Sequence, residues 1–128
     1  MNRLRIPFTE LLVSPLAYGC MHIGGSWDNQ SPTALQQEHA ASAFDLALAL
    51  GINVFDHADI YGDYTTESQF GKAFSESKIS RDKLQLITKC GIQHTKGRDN
   101  KIKHYDYSRE YIVWSVENSL KNLQTDYL

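Results

Sequence analysis

The sequence lacks the charge excess and the long apolar run that mark several classes of protein. Its 128 residues carry 13 basic and 15 acidic side chains, and this net charge of −2 does not indicate nucleic acid or an anionic membrane as a partner. The longest apolar stretch, residues 40–55, is interrupted by Asp45, Gly51 and Asn53 and is too polar for a membrane span. These absences leave a globular domain with an ordinary apolar fraction.

The sequence also has little that could hold a metal ion or a phosphate group. Its only two cysteines, Cys20 and Cys90, lie far apart and match no metal-binding spacing. The short glycine segment at residues 24–26 is no phosphate loop, and no glycine-rich dinucleotide fingerprint is present. Two reduced thiols are typical of a cytoplasmic protein. We therefore expect a cytoplasmic protein with no disulfide and no bound metal.

What is present is a regular alternation of strand-like and helix-like segments. Residues 3–6 and 11–13 flank a turn and predict a short β-hairpin. Residues 15–20, 52–56 and 84–89 predict strands, and a helix-like segment follows each of them. Such alternation is typical of a parallel sheet with right-handed crossovers. It favours nearly half of an eight-stranded (β/α)8 barrel, with a three-stranded flavodoxin-like sheet as the alternative.

Capping residues and apolar spacing predict where the helices begin and which face each one buries. Thr33 and Ser108 are candidate N-caps. Thr66 fits the first position of a capping box, and Gly51 is a candidate C-terminal stop. Residues 91–107 are predicted to form a long polar loop. The expected buried residues are Ala40, Ala43, Phe44, Ala47 and Leu48 in the first helix, Phe70, Ala73 and Phe74 in the second, and Ile112, Val116, Leu120 and Leu123 in the third.

Three side chains that can bind or release protons follow two neighbouring predicted strands. Asp56 and Lys89 each end a strand, and Tyr61 lies in the loop after Asp56. The carboxyl ends of parallel strands are where α/β proteins place their chemistry. A lysine ammonium beside a phenol favours the phenolate, and a carboxylate beside the lysine keeps the lysine charged. Tyr61 could then pass a proton to or from the oxygen of a bound carbonyl or alcohol.

Spacing alone leaves other interpretations of these residues open. Tyr61 can be an exposed loop tyrosine, with Lys89 paired to a surface acid. Lys89 can instead form a Schiff base, as in aldolases, although this needs a neutral amine and a nearby Asp56 opposes it. Asp56 and Asp59 can be paired carboxylates for glycoside chemistry, but two acids three residues apart on a loop are more often solvated.

Three segments of the chain resemble the aldo-keto reductase family, and its bacterial branch in particular. They are residues 55–62 (FDHADIYG), residues 87–91 (ITKCG) and residues 115–128 (SVENSLKNLQTDYL). The resemblance covers essentially the whole chain. It implies a (β/α)8 barrel that reduces aldehydes and ketones with NADPH and without a metal.

The resemblance also implies roles for individual residues. The aspartate and tyrosine of the family's active site map onto Asp56 and Tyr61, and its strand-end lysine maps onto Lys89. The family's catalytic histidine would lie beyond residue 128. The residues expected to contact the NADPH cofactor are Gly19, Cys20, Met21 and Asp56, and those expected to border the substrate pocket are Trp27 and His57.

We therefore expect residues 1–128 to be the N-terminal part of a single barrel domain that begins with a short β-hairpin. In the complete protein we expect reduction of a small aldehyde or ketone to an alcohol with NADPH. We expect the 128 residues alone to be inactive and to be either marginally stable or self-associating through unpaired strand edges, without nucleic acid or membrane partners. The alternatives are a Schiff-base aldolase-type enzyme that uses Lys89 and a reductase-like module that binds without turnover.

Overall fold

Helices pack on one side of a short parallel sheet, and two antiparallel hairpins form separate small sheets. The computed structural model describes residues 2–28, 30–94 and 103–128. In chain order the elements are β1 (Leu4–Arg5), β2 (Leu12–Val13), β3 (Ala17–Gly19), α1 (Ala34–Ala49), β4 (Val54–Asp56), α2 (Tyr61–Tyr64), α3 (Thr66–Glu76), β5 (Gln85–Ile87), β6 (Ile92–His94), β7 (Lys103–Tyr105) and α4 (Arg109–Leu123), with short 3-10 turns at Cys20–His22 and Arg81–Lys83.

The parallel sheet has the order β3-β4-β5, so each strand lies beside the one that precedes it. Its register aligns Gly19 with Asp56 and Asp56 with Ile87, and the carboxyl ends of the strands therefore lie level. A flavodoxin-like sheet would place its first strand between the second and the third. The observed order thus confirms the barrel prediction over that alternative. The predicted antiparallel hairpin of β1 and β2 is also confirmed.

The core lies between the sheet and the helices and is rich in phenylalanine. Phe44 of α1, Phe55 of β4 and Phe70 of α3 are buried, and their ring centroids lie 5.0 to 5.5 Å apart. Rings at this separation contribute edge and offset contacts beyond their apolar area. The predicted buried faces of α1 and α3 are confirmed. On the other face of the sheet, Ile87 is 48% exposed.

Side-chain and backbone caps end the helices largely as the sequence predicts. Thr33 and Gln36 form a reciprocal capping box at the start of α1, in which each side chain accepts the other residue's backbone N–H. Gly51 follows α1 with φ of +84°, a conformation that glycine adopts without strain. The Ser108 hydroxyl accepts from the N–H of Tyr111 and caps α4.

The start of α3 differs from the prediction. Thr66 does not cap the helix, because its side chain is fully buried and its hydroxyl donates to the carbonyl oxygen of Tyr61 at 3.2 Å. The turn α2 leads directly into α3, and the N–H of Thr65 donates to the same Tyr61 carbonyl. The carbonyl oxygen of Thr65 instead accepts the N–H of Gln69 at 3.2 Å, so a backbone group takes the place of the predicted side-chain cap.

The buried face of α4 is rotated relative to the predicted one. Ile112 and Val116 are 38% and 41% exposed, and of the predicted face only Leu123 is fully buried. The reason is the close approach of α4 to α3 at Gly71, where a Cβ would lie 2.0 Å from the carbonyl oxygen of Asn122. Small side chains suit such an approach. The residues that α4 buries are Tyr111, Ser115, Ser119 and Leu123.

The segment 91–107 was predicted to be a loop, but its two ends pair as the antiparallel strands β6 and β7. The Gln93 amide donates to the Asp106 carboxylate at 2.9 Å, which joins the two ends. The remaining part of the predicted loop, residues 95–102, lies outside the described residues.

Candidate active site

Asp56 and Lys89 form an ion pair at the carboxyl end of the parallel sheet. The Nζ of Lys89 lies 2.7 and 2.8 Å from the two carboxylate oxygens of Asp56. Asp56 ends β4 and Lys89 follows β5 by two residues, and strand alternation turns both side chains to the face opposite the helices. These side chains are 39% and 47% exposed, so the pair is open to a ligand.

The charge state of Lys89 follows from its neighbours. Partial burial lowers the pKa of Lys89, but its hydrogen bond to Asp56 and the charge of Asp56 outweigh this and raise the pKa above its usual value. The amine therefore stays protonated at neutral pH.

Tyr61 lies beside this pair, immediately before a left-handed turn of the backbone. It begins α2, in which Gly62 and Asp63 have φ values of 57° and 56°. A Cβ on Gly62 would meet Cγ2 of Thr66 at 2.7 Å, so glycine is required there. The Nζ of Lys89 lies 5.2 Å from the Tyr61 ring centroid, so the ammonium is close to the ring of Tyr61. The structure thus brings the three predicted catalytic residues together.

The strand end beside Asp56 offers space and backbone rather than bulky side chains. Gly19 aligns with Asp56, and a Cβ built on Gly19 would meet no atom within 4 Å. Met21 is 41% exposed. Cys20 was predicted to contact the cofactor, but its side chain is fully buried. A ligand at this edge could therefore reach only the backbone of Cys20. Burial is the main cause that raises the pKa of the Cys20 thiol, and the charge of Asp56 adds to it.

Trp27 lies against His94, the last residue of β6. The Trp27 ring is 37% exposed, and its centroid lies 6.4 Å from that of His94. The Nδ1 of His94 lies 3.3 Å from a carboxylate oxygen of Asp63, next to the turn that carries Tyr61. Trp27 therefore remains a candidate wall of the substrate pocket.

The prediction that His57 borders the pocket is wrong. His57 follows Asp56 directly, so strand alternation turns it to the helix side of the sheet. Its ring is fully buried, with its centroid 4.5 Å from that of Phe70. Both ring nitrogens lack a hydrogen-bond partner among the described residues. Burial lowers the pKa of His57 to about 3, and the side chain is therefore a neutral part of the core.

Two buried carboxylates behind the site were missed by the sequence reasoning. Asp59 was interpreted as a solvated loop acid, but it is buried and accepts hydrogen bonds from two side chains of α4. Glu67 is also buried, and the Thr88 hydroxyl donates to it at 2.7 Å. Glu67 precedes Phe70 by three residues, and this helical spacing was the signal that could have placed it on the buried face of α3.

The charged pair and the phenol can hold and move a proton at an oxygen bound beside Asp56.

Within residues 2–28, 30–94 and 103–128, no three His, Cys, Asp or Glu side chains lie close enough together to hold a metal ion. None of the described helices combines the length and apolar character needed to cross a membrane.

Known proteins share both the sequence and the fold of this chain. A model of the Aldo/keto reductase family matches residues 15–128. The 6-dehydroglucose reductase of Agrobacterium fabrum is 38% identical over 121 residues, which are 93% of this chain and 39% of that protein. The oxidoreductase YdhF of Escherichia coli is 44% identical over 81 residues, which are 63% of this chain and 27% of that protein.

Solved structures agree with these sequence matches. The aldo-keto reductase AKR11C1 from Bacillus halodurans superposes with a TM-score of 0.78 and 33% identity, over 100% of this chain and 38% of its own. The glycerol dehydrogenase AKR11B4 from Gluconobacter oxydans gives a TM-score of 0.83 and 26% identity, over 99% of this chain and 37% of its own. The chain thus spans less than two fifths of the length of these relatives, and its fold is part of a (β/α)8 barrel. On this sequence and structural evidence, the chain belongs to the aldo/keto reductase family.

Proposed function

We propose that the complete protein reduces an aldehyde or ketone to an alcohol with NADPH, and that Asp56, Tyr61 and Lys89 carry the proton chemistry. The observation that supports this most directly is the contact of Lys89 Nζ with both Asp56 oxygens at 2.7 and 2.8 Å, beside the Tyr61 ring. Family membership supports the class of reaction.

Each residue has a distinct part in the proposed reaction. Asp56 holds the Lys89 ammonium in place and keeps it charged. Tyr61 gives its phenolic proton to the carbonyl oxygen as that oxygen becomes negative, and the neighbouring ammonium stabilises the phenolate that remains. A bound nicotinamide would supply the hydride for the carbonyl carbon.

The residues at the strand ends fit a flat ring near Asp56. The absence of any atom within 4 Å of a Cβ on Gly19 leaves room for such a ring against the backbone. Met21 is exposed at the same edge. Gly19 and Met21, with the backbone of Cys20, are therefore the proposed contacts at this end of NADPH, and Trp27 is the proposed wall for the substrate. The free thiols of Cys20 and Cys90 support a cytoplasmic location.

The raised pKa of Lys89 opposes the Schiff-base alternative, since imine formation needs a neutral amine. The presence of all three proposed catalytic side chains in one cluster also argues against a module that only binds.

The proposed acid can be tested in a polypeptide that carries these residues and the rest of the barrel. NADPH oxidation should depend on added aldehyde, and Tyr61→Phe should reduce kcat about 100-fold or more because the proton donor is removed. Tyr105→Phe is the matched control, because Tyr105 is 68% exposed and its ring stacks on that of Tyr107. Near-wild-type turnover of Tyr61→Phe, or trapping of substrate on Lys89 by borohydride, would contradict the proposal.

We further propose that these 128 residues alone have no turnover and tend to self-associate. In the described part of the chain, β3 and β5 each pair with one neighbouring strand only, and Ile87 is 48% exposed on the open face. Unpaired strand edges and exposed apolar residues favour pairing with another chain. Light scattering and an NADPH assay with a reactive aldehyde test this. A monodisperse monomer with aldehyde-dependent turnover would refute it.

A further inference from the structure

The main chain that carries Lys89 is held by the segment that follows β4. The N–H of His57 donates to the carbonyl oxygen of Ile87 at 2.7 Å, and the N–H of Asp59 donates to that of Lys89 at 2.9 Å. These bonds continue the pairing of β4 and β5 past the ends of both strands. The position of the Lys89 backbone therefore depends on where Asp59 lies.

Asp59 is itself fixed by α4. Its side chain is buried, and its Oδ2 accepts the Tyr111 hydroxyl at 2.8 Å and the Ser115 hydroxyl at 2.7 Å. A carboxylate with two such donors is held more firmly than a solvated loop acid. Asp59 thus connects α4 to the backbone of Lys89.

Glu67 holds the same strand end from α3. The Thr88 hydroxyl donates to Oε1 of Glu67 at 2.7 Å. Burial raises the pKa of Glu67, and the hydrogen bond from Thr88 opposes that rise. A buried carboxyl group is costly unless it is hydrogen-bonded, so the contact that joins Glu67 of α3 to the strand end at Thr88 is closely defined.

Thr88 precedes Lys89, and consecutive side chains of an extended chain point to opposite faces. Anchoring Thr88 among the helices therefore turns Lys89 toward the open face, where Asp56 and Tyr61 lie. The long lysine stem has many rotamers, so a fixed backbone is what limits where its ammonium can go.

We propose that Asp59 and Glu67 are positioning residues for the reductase site, and that they orient Lys89 by holding the main chain at residues 88 and 89. This inference rests on the proposed function for its catalytic meaning, because the role of Lys89 is itself proposed. The contacts from which it is argued stand independently of that role.

The test is an NMR titration of the Lys89 side chain in a polypeptide that carries these residues and the rest of the barrel. Thr88→Val keeps the shape of the side chain but removes the hydroxyl that binds Glu67, and Ser115→Ala removes one donor to Asp59. Thr88→Ser restores a hydroxyl and serves as the conservative rescue. Ser14→Ala is the structural control, since it removes a buried hydrogen bond to Asn53 at the opposite end of β4.

We expect wild-type Lys89 to titrate above its ordinary pKa, and Thr88→Val and Ser115→Ala each to lose a large part of that elevation. Thr88→Ser and Ser14→Ala should keep it, even where Ser14→Ala lowers stability. Amide spectra report whether each variant folds, and Ser115→Ala alone carries the test if Thr88→Val does not fold.

Two results would overturn the inference. One is an unchanged Lys89 titration in both Thr88→Val and Ser115→Ala, and the other is an equal shift in Ser14→Ala. Either would mean that the carboxylates only stabilise the fold. The proposed function is tested separately by the activity assay. A complete protein that reduces no carbonyl would refute the proposed function but would not change the result of the Lys89 titration.

Discussion

The packing of α3 against α4 predicts that Gly71→Ala destabilises the protein. A Cβ at this position would lie 2.0 Å from the carbonyl oxygen of Asn122, whereas ordinary contacts lie at 3.4–4 Å. The obstacle is helix backbone, which cannot rotate away as a side chain can. The two helices would have to separate by about 1.4 Å, the difference between 2.0 and 3.4 Å.

Two opposing effects set the change in the free energy of unfolding that Gly71→Ala causes. Replacing a helical glycine by alanine favours the helix by about 1 kcal/mol. Forcing extra volume into a packed interface costs about 1–3 kcal/mol, and a backbone obstacle places this case at about 3 kcal/mol. The separation also loosens the contacts of Ser119 and Leu123, which α4 buries. We expect a net loss of about 2 kcal/mol in the free energy of unfolding, or about 8 °C in Tm for a chain of this size.

Urea and thermal unfolding, followed by circular dichroism, measure this effect. Ser75→Ala is the matched control, because Ser75 lies exposed on the same helix and the change favours helix without a clash. It should leave stability unchanged or slightly higher. A Gly71→Ala variant as stable as the wild type would refute the reasoning, since the helices would then have room for a methyl group.

Three further predictions concern other parts of the fold. Thr33→Ala should lower the free energy of unfolding by about 1 kcal/mol in urea titrations, because it removes the capping box of α1. Arg81→Lys should speed amide hydrogen exchange around Tyr127. The Arg81 guanidinium donates to the Thr125 hydroxyl and the Tyr127 carbonyl and lies 3.9 Å from the Tyr127 ring, a geometry that lysine cannot reproduce. Unchanged exchange would contradict this. Burial lowers the pKa of His57 from 6.5 to about 3 in the folded protein. The free energy of unfolding should therefore be highest above pH 6.5 and fall as the pH drops from 6.5 toward about 3, because the unfolded chain binds the proton more readily in that range. His57→Phe should remove this dependence, so its stability relative to the wild type should rise by about 2 kcal/mol between pH 7 and pH 5, and parallel pH profiles would show that His57 is not responsible.

The sequence by itself predicted the fold class, since strand and helix periods alternate with short connections and few architectures satisfy that pattern. It also predicted that Asp56 and Lys89 lie close together. Asp56 and Lys89 end neighbouring strands, and level parallel strands bring such residues together without any long-range information. Thr33, Gly51 and Ser108 act on their own helix ends, so local chemistry sufficed to predict them.

The tertiary structure decided what depends on partners distant in the sequence. Strand alternation places His57 opposite Asp56, but its burial depends on Phe70 of α3, and the sequence prediction placed it at the pocket instead. The buried face of α4 is set by the backbone approach at Gly71, which apolar spacing does not report. Asp59 has the sequence appearance of a solvated acid, and only the arrival of α4 supplies the hydroxyl groups that allow a carboxylate to be buried.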